Sequence, residues 1–196
     1  MSRPLFIVLD GPDATGTTTH AKLLAERLEK EGRDVLQTSE PTDGPIGIKI
    51  RDYLKSGAID PLELQMLFTS DREWHVQNVI EPALADGKIV VCDRYWHSTT
   101  VYAEAQNIDA TELKKINMKF IQPDCVFFTL PPIGISLTRM AKREEKEVFE
   151  REELQRTIHD GYRRMAKEHP GIHMIDTSGT KEEVSAQIAE IVEARL

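Results

Sequence analysis

Five short apolar runs alternate in this chain with longer segments of helical periodicity, and this alternation constrains the fold more than any other feature. The runs are Leu5–Leu9, Asp34–Thr38, Ile89–Cys92, Cys125–Thr129 and His173–Ile175. Most of them are apolar at consecutive positions, which is typical of parallel strands that are buried on both faces. The pattern therefore predicts an α/β fold in three layers, with a five-stranded parallel sheet and helices on both faces.

The segments between these runs have the periodicity of amphipathic helices. One segment extends from Thr18 to Glu31, and a longer one extends from Pro61 to Ala85. Asp60 precedes the longer segment as an N-cap, and Pro82 is expected to kink or end that helix. Further helices are predicted over Ala110–Ile121 with Asp109 as the cap, over Arg151–Glu168, and from Lys181 onward.

Length and composition narrow the class of protein. The 196 residues contain no linker, repeat or low-complexity stretch, so residues 1–196 are expected to form a single domain. The net charge of −8, from 33 acidic and 25 basic residues, argues against a nucleic acid polymer as a partner. The apolar run Leu5–Leu9 is too short for a membrane span or a signal-peptide core. Cys92 and Cys125 lie alone in predicted strands, which indicates a reducing compartment, and we expect a cytoplasmic location.

The loop after the first predicted strand has the context of a phosphate-binding P-loop. It reads Asp-Gly-Pro-Asp-Ala-Thr-Gly-Thr-Thr-Thr from position 10 and leads from a strand into a helix. Gly11, Gly16 and Thr18 match the P-loop pattern, but Thr17 occupies the position of the usual lysine. The glycines would let backbone N–H groups face phosphate oxygens, and Thr18 could bind Mg²⁺. On this motif alone, an ordinary tight turn before a helix stays open as the alternative.

Three further segments carry groups that suit a second ligand. They are Glu40 after the second predicted strand, Phe68 and Arg72 on the long helix, and Asp93-Arg94 after the third strand. In an open parallel sheet, ligands bind beyond the carboxyl ends of the strands, where two of these segments begin. Asp93 could hold Mg²⁺, and Arg94 could clamp a phosphate group. Taken singly, the Asp-Arg pair could be a surface ion pair, Phe68 a core residue, and Glu40 part of a turn.

Together these motifs resemble the thymidylate kinase family over nearly the full length of the chain. The matching features are the Gly-x-Asp-x-x-Gly loop, the Glu-Pro motif, the Phe-x-x-x-Arg pair and the Asp-Arg-Tyr-x-x-Ser signature. The segment Val148-Phe149-Glu150, followed by Glu153 and Gly161-Tyr162, is most similar to archaeal members. The resemblance implies a P-loop NTPase-type fold. It also implies transfer of the ATP γ-phosphoryl group to dTMP with Mg²⁺, giving dTDP.

The resemblance assigns roles to individual residues around the acceptor dTMP. It implies that Arg94 binds the acceptor phosphate, Asp13 approaches the sugar and phosphate, and Tyr102 lies under the deoxyribose. It also implies that Phe68 stacks on thymine, that Arg72 hydrogen-bonds a base carbonyl oxygen, that Ser98 contacts the base edge, and that Glu40 belongs to the same site.

The resemblance also implies a donor site for ATP and Mg²⁺. The residues assigned to ATP are Gly11, Ala14, Thr15, Gly16, Thr17, Thr18, Thr19 and Arg139, and Thr177-Ser178-Gly179 would lie near adenine. Thr18 and Asp93 are assigned to the metal, and the residues assigned to catalysis are Asp13, Asp93, Arg94 and Arg143.

A short lid over ATP is implied for residues 139–150, and several features of the donor site depart from the family pattern. The lid carries Arg139, Lys142, Arg143 and Lys146, any of which could replace the charge that is missing at Thr17. Ala14 stands where some members have a P-loop arginine, and the lid arginine of other members aligns near Val148. A solvated charged helix is the alternative for this stretch.

Three interpretations of function therefore stay open. The first is a dTMP kinase, and the second is a kinase for another nucleotide or for a deoxynucleoside. The third is a nucleotide-binding relative with weak or no catalysis, because Thr17 replaces the lysine. The resemblance further implies a homodimer formed through helices that include the long one from Pro61.

Overall fold

A computed structural model describes residues 4–142, 149 and 151–196 of the protein. Its strands are β1 (Phe6–Asp10), β2 (Val35–Ser39), β3 (Ile89–Asp93), β4 (Cys125–Thr129) and β5 (Ile172–Ile175). They form one parallel sheet in the order β2-β3-β1-β4-β5. The predicted five-stranded parallel sheet is therefore confirmed, with each strand boundary within one residue of the expected position.

Helices connect these strands and cover both faces of the sheet. Among the described residues they are α1 (Thr17–Lys30), α2 (Pro45–Ser56), α3 (Pro61–His75), α4 (Glu81–Ala85), α5 (Trp96–Ala105), α6 (Thr111–Asn117), α7 (Ile133–Ala141), α8 (Glu152–Glu168) and α9 (Lys181–Glu193). None of the helices in this part of the chain is long and apolar enough to cross a membrane.

Alternate side chains of the central strand β1 enter two separate hydrophobic cores. Phe6 and Val8 pack with buried residues of α2, α3, α5 and α8 on one face of the sheet. Ile7 and Leu9 pack with α1 and α9 on the other face. Because successive side chains of a strand point to opposite faces, an uninterrupted apolar strand requires cover on both sides. The three-layer α/β architecture expected from the sequence is confirmed.

The long helix predicted from Pro61 begins there and continues past Pro82. The Asp60 carboxylate accepts hydrogen bonds from the backbone N–H groups of the first turn, which confirms its role as the N-cap. A π-helical segment, Val76–Ile80, joins α3 to α4. A proline ring clashes with the carbonyl four residues earlier in a regular α-helix, and here that residue lies in the wider π segment. The helix consequently reaches Ala85 instead of ending at Pro82.

Helices α2, α5 and α7 were not anticipated from the sequence, and α6 is shorter than expected. The helix begins at Thr111, one residue later than expected, and Ala110 instead of Asp109 occupies the N-cap position, although the Asp109 carboxylate still accepts from the Thr111 N–H at 2.9 Å. The helix stops at Asn117 instead of Ile121. The Asn117 side chain is fully buried and hydrogen-bonded across to α3, which fixes the chain at that point.

Candidate active site

A large cavity of about 680 Å³ opens at the carboxyl ends of β1, β2 and β3. It brings together most of the predicted site residues: Asp13, Ala14, Gly16, Thr17, Thr18, Thr19, Glu40, Phe68, Arg72, Asp93, Arg94, Ser98, Tyr102 and Arg139. Gly11 and Thr15 lie behind its wall. Arg143, the remaining predicted residue, lies outside the described residues.

The loop between β1 and α1 has the backbone shape of an anion cradle. Ala14 and Gly16 both adopt positive φ, 58° and 100°, and Gly16 is the N-cap of α1. Gly11 has no room for a side chain, because an added Cβ would lie 2.7 Å from the Thr129 carbonyl oxygen. The loop therefore closes tightly against β4. The first turn of α1 carries no acidic residue, and the positive end of the helix dipole faces the cavity, where the Asp93 carboxylate of β3 meets the Thr18 hydroxyl.

The Thr15 hydroxyl supports this loop from behind. It donates to the Pro12 carbonyl at 2.7 Å and lies 2.8 Å from the Thr129 hydroxyl. Thr15 is fully buried, so any contact with a bound phosphate would come from its backbone. Thr17, at the position of the absent lysine, faces the cavity with a neutral hydroxyl and is nearly buried.

Thr18 and Asp93 meet at the floor of the cavity. The Thr18 hydroxyl donates to Asp93 Oδ2 at 2.5 Å, and Asp93 Oδ1 is buried without a hydrogen-bond partner among the described residues. Burial raises the pKa of the Asp93 carboxyl above its ordinary value, although the nearby Arg94 charge opposes that rise. A carboxylate oxygen without a partner, next to a hydroxyl, matches the hard oxygen ligands that Mg²⁺ prefers.

This pair would hold a metal ion only together with a bound nucleotide. In the part of the chain that the structure describes, no group of three or more His, Cys, Asp and Glu side chains could hold a metal by itself. Mg²⁺ in phosphoryl-transfer sites is commonly held by one or two protein groups plus substrate phosphates. Thr18 and Asp93 fit that arrangement.

Arg94 is anchored in the cavity by contacts on both ends of its guanidinium. Nη1 donates to the Gly11 carbonyl at 2.8 Å, and Nη2 donates to Asp13 Oδ1 at 2.7 Å. The backbone of Arg94 has a φ of 71°, which is uncommon for a residue with a Cβ and is found mainly at functional sites. The Asp93-Arg94 pair is therefore not a surface ion pair, because Arg94 pairs with Asp13 inside the cavity.

The far side of the Asp13 carboxylate contacts a residue that the sequence did not single out. Gln155 of α8 is fully buried, and its Nε2 donates to Asp13 Oδ2 at 2.8 Å. The Tyr102 ring lies beside Arg94, the partner of Asp13, and the Arg94 guanidinium carbon is 5.8 Å from the centre of that ring. Burial, followed by the Asp13 charge, raises the pKa of the Tyr102 hydroxyl well above its ordinary range. Tyr102 therefore stays neutral and forms a wall of the cavity.

Arg72 and Glu40 form a buried ion pair at the other end of the cavity. Arg72 is 1% exposed, and its Nη2 lies 2.7 Å from Glu40 Oε2. Arg72 also donates from Nη1 to Asn117 Oδ1 at 2.5 Å and, more weakly, from Nη2 to the Thr99 hydroxyl at 3.2 Å. Phe68, half-buried, lies one turn before Arg72 on the same face of α3. This end therefore joins one aromatic face to a rigidly held guanidinium.

Ser98 belongs to a third buried network beneath the cavity, centred on Asp10. The Ser98 hydroxyl donates to Asp10 Oδ1 at 2.5 Å, and the Tyr162 hydroxyl donates to the same oxygen at 2.7 Å. Backbone N–H groups of Gly11 and Tyr95 also donate to this carboxylate. Burial by itself raises the pKa of Asp10, but the contacts with His97 and the charge of Arg94 outweigh it and lower the pKa to about 2.

The opposite mouth of the cavity, beside α1, is basic. Arg139 Nη2 donates to the Thr177 carbonyl at 2.8 Å, and Lys181 lines the same rim. Burial, then the charges of Arg139 and Lys181, lower the pKa of His20 below its ordinary value. This rim therefore attracts an anion. Lys142 is exposed at the end of α7, and Phe149 forms part of the cavity wall. Residues 143–148 and 150 of the predicted lid lie outside the described residues.

Fold and site together define a P-loop nucleotide-binding protein. The glycine loop leads from the central strand into α1, the Asp93 carboxylate ends β3, and Arg72 and Arg94 are among the arginines that line the adjoining cavity. The family model for thymidylate kinase matches residues 9–188. The chain belongs to the thymidylate kinase family.

Similar curated proteins cover the full length of the chain. A probable thymidylate kinase of Thermococcus kodakarensis is 37% identical over 202 residues, covering 98% of each chain. A probable thymidylate kinase of Pyrococcus horikoshii is 36% identical over 201 residues, with 99% of this chain and 98% of the relative covered. A thymidylate kinase of a Synechococcus species (strain JA-3-3Ab) is 34% identical, with 98% and 97% covered. The expected similarity to archaeal members is confirmed.

Proposed function

We propose that this protein transfers the γ-phosphoryl group of ATP to dTMP, giving dTDP, as a single kinase domain. The observation that carries the proposal is one continuous cavity with a phosphate cradle at one end and an aromatic, arginine-lined pocket at the other. A kinase of this kind must hold two nucleotides with their phosphates facing each other. The membership of the chain in the thymidylate kinase family supports dTMP as the acceptor.

The acceptor nucleotide occupies the Phe68–Arg94 side of the cavity. Arg94 binds its phosphate, since its guanidinium lies beside the glycine loop and is already oriented by Asp13. Phe68 stacks on the thymine ring, and Arg72, held by Glu40, donates to a base carbonyl oxygen. Tyr102 fills the space beneath the sugar, and Ser98 supports the base side from its network with Asp10.

The donor ATP occupies the loop and the basic rim. Backbone N–H groups of residues 13–19 surround its phosphates, and Arg139 with Thr177 borders the adenine end. Thr18 and Asp93 hold Mg²⁺, which when bound supplies charge neutralisation for the phosphates. Arg94 and the cations of the segment 139–150, including Arg143, provide positive charge toward the transferred group.

A weakly catalytic nucleotide-binding protein is the second candidate, and Thr17 is the observation that favours it. A hydroxyl cannot supply the charge that a lysine would bring to the transferred phosphoryl group. In this case the acceptor pocket would bind dTMP normally while turnover stays slow.

The test compares dTDP formation from dTMP and Mg·ATP by this protein, Thr17→Lys and Thr17→Met. Methionine matches the length of lysine without its charge, so it separates charge from bulk. An active wild-type protein with a small gain in Thr17→Lys supports the kinase, with another cation already in place. An inactive wild-type protein that only Thr17→Lys restores supports the second candidate. No dTDP from any of the three, with no dTMP binding, would overturn the acceptor assignment.

We also propose a homodimer formed through α3. Leu62, Met66 and Trp74 are 46%, 45% and 37% exposed and recur every four or eight positions along this helix. Ile48, on the adjoining α2, is 53% exposed. An exposed apolar stripe of this kind favours self-association. Sedimentation equilibrium should give about twice the chain mass of 22.3 kDa, and Met66→Glu should return the monomer.

A further inference from the structure

Gln65 of α3 is a buried polar residue in the acceptor pocket, and it takes no part in the Arg72–Glu40 ion pair. It is 1% exposed and lines the cavity. It precedes Phe68 by three positions and Arg72 by seven, a spacing that places all three on one face of a helix. Its Nε2 has no hydrogen-bond partner in the described part of the chain.

The polar groups around Gln65 are already paired with each other. The Thr69 hydroxyl donates to the Gln65 backbone carbonyl at 3.0 Å. Asn117 Nδ2 lies 3.3 Å from the Thr69 hydroxyl, and Asn117 Oδ1 accepts from Arg72. The network includes the backbone carbonyl of Gln65 but not its side-chain amide, so Nε2 is a spare donor among the described residues. A buried N–H₂ group without a partner is unfavourable, so such a group in a binding cavity indicates an acceptor atom supplied by a ligand.

We propose that Gln65 takes part in base recognition by donating a hydrogen bond to the carbonyl oxygen that Arg72 does not hold. The proposal rests on the function proposed above. The helix rise places Gln65 and Arg72 about 10 Å apart along α3, with Phe68 between them. A pyrimidine ring stacked on Phe68 then lies between two donors.

This arrangement selects one chemical class of base. Thymine and uracil carry two carbonyl oxygens, and cytosine replaces one of them with an amino group. Two fixed donors therefore favour 2,4-dioxopyrimidine nucleotides, since an amino group opposite a donor leaves both groups unpaired. Cytosine keeps the 2-carbonyl oxygen, so the donor that faces the 4-position rejects cytosine, and the donor that faces the 2-position adds affinity for the pyrimidine ring.

The experiment measures dissociation constants of dTMP by calorimetry without ATP, so the result does not depend on catalysis. Gln65→Met keeps the unbranched shape and removes the amide, and Glu63→Gln on the exposed side of α3 is the matched control. We expect Gln65→Met to bind dTMP about tenfold more weakly, which equals ~1.4 kcal/mol. The Glu63→Gln control should bind dTMP as the wild-type protein does, and its kcat at saturating dTMP should change less than threefold.

Substrate analogues locate the bond, and the measurements on the wild-type protein do not depend on the folding of a variant. The wild-type protein should bind both 2-thio-dTMP and 4-thio-dTMP more weakly than dTMP, because sulfur is a poorer acceptor than oxygen. In Gln65→Met, one of these two analogues should lose no further affinity relative to dTMP.

The outcomes separate this inference from the proposed function. Equal binding of dTMP by the wild-type protein and Gln65→Met overturns the inference and leaves the kinase proposal standing. Wild-type affinity for either thio analogue that equals its affinity for dTMP also overturns it. If the wild-type protein binds no dTMP, the proposed function itself fails.

Discussion

Replacement of Glu40 by glutamine tests whether the acceptor pocket depends on a buried ion pair. Glu40 and Arg72 have side chains that are 2% and 1% exposed, and Arg72 Nη2 lies 2.7 Å from Glu40 Oε2. A second bond joins Arg72 Nε to the same oxygen at 2.9 Å, and His75 contacts the other carboxylate oxygen. Glu40→Gln keeps the shape of the side chain and removes its charge.

The expected loss of folding stability follows from the burial of the Arg72 guanidinium, which has lost its charged partner. Loss of one partner of a buried ion pair destabilises proteins by about 3–5 kcal/mol, because the other charge has no compensation. Glutamine can still accept one hydrogen bond through its amide oxygen, so we expect about 3 kcal/mol. That is a large part of a typical stability of about 5–15 kcal/mol. Affinity for dTMP should also fall about tenfold, because the Arg72 guanidinium loses its fixed position.

Urea denaturation, monitored by circular dichroism, measures the loss in the free energy of unfolding. The double variant Glu40→Leu/Arg72→Met removes both charges, and it should recover most of the stability without recovering dTMP binding. A loss below about 1 kcal/mol in Glu40→Gln would refute the uncompensated charge as the cause. A double variant as unstable as the single variant would refute it as well.

Three further predictions concern the loop, the metal ligand and acid stability. Gly11→Ala should lower stability by about 1–3 kcal/mol, measured in urea, because its Cβ would meet the Thr129 carbonyl. An unchanged unfolding midpoint would contradict this. Asp93→Asn should lower kcat about 100-fold in steady-state assays at saturating Mg²⁺, with unchanged calorimetric affinity for dTMP in EDTA. A normal kcat would exclude Asp93 as the metal ligand. The pKa of His159 is lowered from 6.5 to about 4, mainly because the side chain is buried and secondly because the Arg163 charge is close. Between these pH values the unfolded chain binds a proton that the folded chain does not, so stability should fall as the pH falls from 6.5 to 4. The contribution should be at most ~1.4 kcal/mol per pH unit. His159→Gln should flatten the slope of the unfolding free energy against pH, and an identical slope would argue against this residue.

The sheet could be predicted from the sequence because buried parallel strands leave a simple pattern. A continuous apolar run as short as Cys125–Thr129 suits a strand that is covered on both faces better than it suits a helix. The site could be located because groups that follow parallel strands, such as Asp93, must meet at one edge. Helix α2 was missed although signals were present, since Pro45 occupies its first turn and Ile46, Ile50 and Leu54 recur every four residues.

The supporting residues of the site could not be predicted in the same way. Gln155 contacts Asp13 across 142 positions of sequence, and in its own helix it is one polar residue among many charged ones. Asp10 has the sequence context of the last residue of a strand, and only the packed structure shows that three segments converge on it. Local sequence patterns identify the residues that face a ligand. They do not identify as readily the residues that hold these ligand-facing side chains in place. The cytoplasmic location and the lid stay predictions.

The buried Asp10 carboxylate has a consequence for the order in which the protein becomes functional during synthesis. Its donors come from the glycine loop, from Ser98 on α5 and from Tyr162 on α8. The first half of the chain contains the loop, the aspartate after β3 and the arginines of the acceptor pocket, but it lacks Tyr162. A nascent chain therefore cannot complete the nucleotide site until α8 has left the ribosome.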